Sequence, residues 1–84
     1  VTAFERLIAR PWGPYDPETW AMNLELRGGP AAGKLVLLAL PGGRCALARL
    51  PPRPFGPIER LGPEFETVLD GERDILRRRH EARR

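Results

Sequence analysis

Eighty-four residues with a net charge of +3 and 42% hydrophobic side chains describe one small domain, whose core leaves little room for a large cofactor. A single cysteine, Cys45, excludes an internal disulfide and a cysteine-based metal cluster. No apolar run approaches the roughly 20 residues of a membrane-spanning helix.

The ten prolines and nine glycines are spread along the chain as punctuation, which predicts many turns and not disorder. Ser and Gln are missing, Asn, Met and Cys occur once each, and thirteen of the fourteen basic residues are Arg. Few thermolabile residues, many charges and loop prolines are the composition expected of a thermophile's protein. The first residues lack the basic and long apolar regions of a secretory signal, so the expected location is cytoplasmic. Residues 77–84 (RRRHEARR) hold five Arg and one Glu, whereas residues 1–76 hold nine basic and ten acidic side chains. The basicity belongs to the C-terminal segment.

In chain order, Thr2-Ala3-Phe4-Glu5 fits a capping box, and Phe4, Leu7 and Ile8 then recur at helical spacing. A short helix ending before Pro11 is expected, with a strand over residues 3–9 as the competing reading. Residues 11–19 (PWGPYDPET) read as a loop. Asp16-Pro17-Glu18 has the form of a helix start, yet Trp20, Met22, Leu24 and Leu26 alternate strictly with Ala21, Asn23, Glu25 and Arg27. That alternation predicts a half-buried strand over residues 20–27.

The densest aliphatic stretch follows. Lys34–Leu40 and Arg44–Leu50, joined by Pro41-Gly42-Gly43, predict a hairpin that supplies most of the core. After a broken stretch at residues 51–57 (PPRPFGP), Phe65, Val68, Leu69, Glu72, Ile75 and Leu76 line one face of a helix predicted over about residues 63–80. Glu64 and Glu66 suit its N-terminal end and the Arg cluster its C-terminal end; Gly71 marks a weak point. The expected class is α+β: one domain over residues 1–84, with a three-stranded antiparallel meander over about residues 20–50 packed by a C-terminal helix. The sheet gains a fourth strand if residues 3–9 are extended. A partial barrel is the nearest variant.

Gly28-Gly29-Pro30-Ala31-Ala32-Gly33-Lys34 matches the opening of a phosphate-binding P-loop, but Leu35 replaces the magnesium-binding hydroxyl, and the lysine opens a strand instead of a helix. Nucleotide hydrolysis is therefore excluded. Hydroxyl nucleophiles are limited to Thr2, Thr19, Thr67 and Tyr15. Cys45 lies in a predicted strand, and His80 among arginines. No metal-ligand spacing stands out, and neither a catalytic residue nor a cofactor is expected.

Two stretches, Arg10-Pro11-Trp12-Gly13-Pro14 and Arg53-Pro54-Phe55-Gly56-Pro57, share the pattern Arg-Pro-aromatic-Gly-Pro on either side of the predicted meander. As turns they would cap the open ends of a small core; as rigid knuckles they would dock on a partner. A small sheet with one helix also leaves an edge to cover. The expected function is that of a non-catalytic interaction or accessory protein, bound to a protein partner or to itself through its sheet edge or through the loops that carry Trp12, Arg53 and Phe55. The alternative is nucleic-acid binding, with Arg77, Arg78, Arg79, Arg83 and Arg84 on phosphates and the loop aromatics stacking. A third reading is a subunit that completes a shared enzyme site.

Overall fold

The computed structural model describes residues 1–83. The elements run α1 (Ala3–Ala9), α2 (Pro17–Arg27), β1 (Leu35–Ala39), a 3₁₀ turn (Pro41–Gly43), β2 (Cys45–Arg49), β3 (Glu59–Phe65) and α3 (Val68–Ala82). The strands form an open antiparallel sheet in the order β1-β2-β3, and the C-terminal helix packs on it. The α+β class with a three-stranded meander is as expected, and the sheet does not close into a barrel. None of the described helices is long and apolar enough to cross a membrane.

Two elements differ from the sequence expectation. Residues 20–27 are not a strand but most of α2, which starts where Asp16-Pro17 signals it: the Asp16 carboxylate accepts from the Thr19 N–H at 2.8 Å. The alternation misled because two interleaved pairs at i, i+4 also produce a period of two. Met22 and Leu26 point inward, whereas Trp20 and Leu24 are about half exposed. Buried Thr19 and Asn23 complete the inner face. Their polar atoms are satisfied by Asp16, Arg6 and Arg27, so polar residues serve here as interior ones.

The second difference lies at residues 59–65, where β3 takes the place in the meander that the sequence assigned to residues 20–27. Helix α3 begins after it, with Thr67 as N-cap. Pro63 suits an edge strand, which needs one row of amide donors fewer. Ala46 pairs with Glu64 and Ala48 with Arg60, so three residues of β3 bulge opposite Leu47.

At the N-terminus the capping box forms as expected: Glu5 N–H donates to Thr2 Oγ1, and Thr2 N–H donates back to Glu5 Oε1, both at 3.1 Å.

Helix α3 is the middle layer. On one side, Gly71 faces Leu37 of β1 and Cys45 of β2; on the other, Leu76 joins Leu7 and Leu26 in a buried cluster with Phe4, Ile8, Tyr15 and Met22 around it. The Phe4 ring stacks on His80, with centroids 3.8 Å apart. Strand β2 is the sheet's centre, and Cys45, Ala46, Leu47 and Ala48 are all buried. Burial, reinforced by the nearby Asp70 carboxylate, pushes the Cys45 thiol up, as suits an inert core residue.

Gly71 sets how closely helix and sheet approach. A Cβ there would lie 2.8 Å from one Leu37 methyl, 2.9 Å from the other and 3.0 Å from Cys45 Sγ. Gly71→Leu is expected to destabilise the protein by about 1–3 kcal/mol in chemical unfolding, because overpacking outweighs any gain in helix propensity.

Two caps give a pH signature. Accepting a backbone N–H, from Thr19 and Thr2 respectively, holds the Asp16 and Glu5 carboxyls below the ordinary carboxylate range. A carboxyl lowered by folding contributes stability that is complete above its unfolded pKa and is lost as pH falls through the folded one. The thermal midpoint should therefore fall as pH drops below about 4. Asp16→Asn, which keeps the cap without the charge, should make that fall shallower in a melting series followed by circular dichroism.

Candidate interaction surface

Both Arg-Pro-aromatic-Gly stretches close a turn in which the Gly N–H donates to the Arg carbonyl, at 3.0 Å for Gly13 to Arg10 and 3.3 Å for Gly56 to Arg53. Proline sits at the second position, as such turns prefer. Beyond that hydrogen bond the two diverge. In the first, Gly13 takes the positive φ (+81°) and the following Gly13–Pro14 bond is cis. In the second, Phe55 itself takes a φ of +66°, a position that usually requires glycine. Gly56 has no room for a side chain, because a Cβ there would meet Pro51 at 2.8 Å.

This backbone holds the Phe55 ring completely in solvent. Beside it, Leu50, Pro51, Pro52 and Pro54 join Ala31 and Ala32 around an apolar hollow of about 320 Å³. Arg53 lines the same hollow and is exposed. Trp12 is 59% exposed on the loop between α1 and α2, where Tyr15 packs against Trp20. The structure thus joins Arg53 and Phe55 in one loop, and Trp12 belongs to another.

The C-terminal arginines do not form one basic tail. Arg79 is half buried and donates to the carbonyls of Leu26 (3.3 Å) and Leu35 (2.9 Å). Arg78 pairs with Asp74 at 2.6 Å and Arg83 with Glu25 at 3.7 Å. Arg77 is exposed. Arg84 lies outside the described residues.

A second hollow, about 420 Å³, runs along the outer edge of β1. Its apolar wall is Leu35, Val36, Leu37 and Ile75; its polar lining is Arg27, Lys34, Arg79 and Glu72. The Arg27–Glu72 pair (2.7 Å) is largely enclosed, with side chains 22% and 20% exposed. Lys34 Nζ donates to the Arg27 carbonyl at 2.6 Å, so Lys34 and Arg79 together occupy the C-terminal end of α2. Burial pushes the Arg79 guanidinium down, opposed by Glu72 and reinforced by Arg27 and Arg83.

Sequence reasoning missed this hollow because it drew β1 as a central strand with residues 20–27 beside it. The glycine-rich stretch before Lys34 leads from a helix into a strand, the reverse of a P-loop. Among the described residues, no three or more His, Cys, Asp or Glu side chains group as a metal site would.

Comparison with known proteins finds no matching family model, no matching curated protein and no matching solved structure.

Loss of Glu72 would leave Arg27 and Arg79 enclosed together without their carboxylate. Glu72→Gln is expected to cost about 2 kcal/mol, between the values for exposed and buried pairs, in urea unfolding.

Proposed function

We propose that this chain is a non-catalytic interaction or accessory protein that docks on a protein partner through its exposed apolar surfaces. The observation that carries the reading is Phe55. A bulky side chain in the left-handed region costs of order 1 kcal/mol, and the ring recovers none of it by burial. A fold that spends stability to present an aromatic ring beside an apolar hollow has the form of a docking knob, since buried aromatic anchors dominate binding energies.

The edge strand β1 supports the same reading. All five of its residues are apolar, and no strand among the described residues pairs with its outer side. The alternative, phosphate binding through the C-terminal arginines, has less support, because Arg78, Arg79 and Arg83 are held by partners within the fold.

The test combines a dye that fluoresces on apolar surface with sedimentation of the purified chain. Dye binding to the folded protein, or self-association, is expected. Phe55→Gly should reduce the dye signal and raise stability by about 1 kcal/mol, through relief of the backbone strain. A monomer that binds no dye overturns the docking reading, as does a Phe55→Gly variant that is less stable than the parent.

A further inference from the structure

From the free edge of β1 and the charge of the hollow beside it, we infer that this site binds an extended segment of a partner protein that carries aliphatic side chains and a carboxylate, added to the sheet as a strand antiparallel or parallel to β1. The inference rests on the docking reading above and names the chemistry of the partner at one site.

The backbone carries the first part of the argument. Leu40 N–H donates to the Arg44 carbonyl and Leu50 N–H to the Lys34 carbonyl, both at 2.9 Å. With Val36 opposite Ala48 and Leu38 opposite Ala46, the even-numbered residues of this strand turn their peptide groups toward β2. Leu35, Leu37 and Ala39 then turn theirs outward. The Arg79 guanidinium confirms this parity by taking the Leu35 carbonyl from outside. No hydrogen bond among the described residues reaches the peptide groups of Leu37 and Ala39 from that side, so they can receive another strand.

Side chains supply the second part. The odd-numbered residues of β1 face α3, since Leu37 packs on Gly71. Glu72, Ile75 and Arg79 recur at helical spacing along the α3 face that lines the hollow. An added strand would set alternate side chains beside Leu37, over the part of the hollow lined by Glu72 and Arg79.

Charge decides the occupant. Arg27, Lys34 and Arg79 line the hollow against Glu72 alone, and Arg27 already holds that carboxylate. Arg79 and Lys34 bond only to carbonyls among the described residues, so the Leu35 end of the hollow has net positive charge. A second copy paired antiparallel would set its own Lys34 and Arg79 at the far end of the seam and leave this end without a counter-charge; a carboxylate-bearing segment neutralises it.

The experiment selects random octapeptides, joined to the phage coat protein through their C-termini so that any carboxylate is a side chain, against the full chain, with Ala39→Pro as counter-selection. Proline at Ala39 removes an outward N–H and leaves the β1–β2 ladder intact; circular dichroism verifies its fold. Selected peptides should alternate aliphatic residues and carry a carboxylate. Their synthetic forms should bind the parent about tenfold or more tightly than Ala39→Pro. Replacing the carboxylate by its amide, or raising salt, should weaken binding. Peptides N-methylated at alternate residues should lose binding to the parent chain, a readout that does not depend on the variant folding.

Absence of selection over Ala39→Pro, selected peptides without a carboxylate, or indifference to N-methylation each overturns the assignment. A parent dimer that Ala39→Pro dissociates makes the occupant a second copy: the peptide assignment then falls and the docking reading stands. A monomer without dye binding removes the docking reading itself.

Discussion

The fold depends on one guanidinium. Arg27, at the end of α2, faces the Pro11 carbonyl, the Tyr15 hydroxyl and the Asn23 side chain, and pairs with Glu72 of α3. It joins the loop after α1, its own helix and the C-terminal helix in one polar knot. A cation this enclosed is tolerable only with such a set of acceptors. Arg73 repeats the device by donating to Ile8 and Ala9 at the end of α1, and Arg79 does so at the end of α2. The last carbonyls of a helix lack internal donors and carry the negative end of its dipole, so arginines projecting from α3 meet a demand that both short helices create.

With the helix ends secured in this way, a small apolar core suffices. Leu7, Leu26 and Leu76 hold the helical layer together, and Gly71 lets α3 settle onto Leu37 and Cys45 of the sheet. The central strand can be small on its other face: Ala46 and Ala48 are buried, beside an ion-pair chain from Arg44, just before β2, to Glu64 and Arg60 of β3. Ordering stability around α3 leaves the two ends of the sheet region free to differ. The β2–β3 loop presents Phe55 at a conformational cost, and β1 keeps an apolar, unpaired edge with cations at one end. Both are features that a chain selected for its own stability alone would reduce, and both favour a surface meant to be covered.

Much of the architecture was legible from local chemistry. The capping box at Thr2 and Glu5, the hairpin around Pro41-Gly42-Gly43 and the amphipathic C-terminal helix each depend on residues within a few positions of one another. Within the candidate surface, the loop with Arg53 and Phe55 was readable from its prolines and glycine, whereas the positive φ of Phe55 was not. The hollow at β1 was hidden, because it exists only if β1 is an edge. That in turn required residues 59–65 to supply the third strand, and Pro63 and Gly62 disguised them as a helix start.

Local sequence by itself determined caps, turns, the apolar hairpin and the class of the domain, since those follow from side-chain period and backbone preference within single segments. Tertiary structure decided the rest. For residues 20–27, period two and two interleaved helical pairs are the same pattern; the Asp16-Pro17 start is the one local sign of the helix, and packing of Leu26 against Leu7 and Leu76 decides for it. For the C-terminal arginines, proximity in sequence gave a basic tail, but the helix turns each in a different direction. Carbonyls of α1 and α2 and the Glu25 carboxylate then take Arg73, Arg79 and Arg83 from far along the chain, while Arg78 keeps to Asp74 one helical turn away. The partners of a charge are set by folding, because their separation along the chain carries no trace of their distance in space.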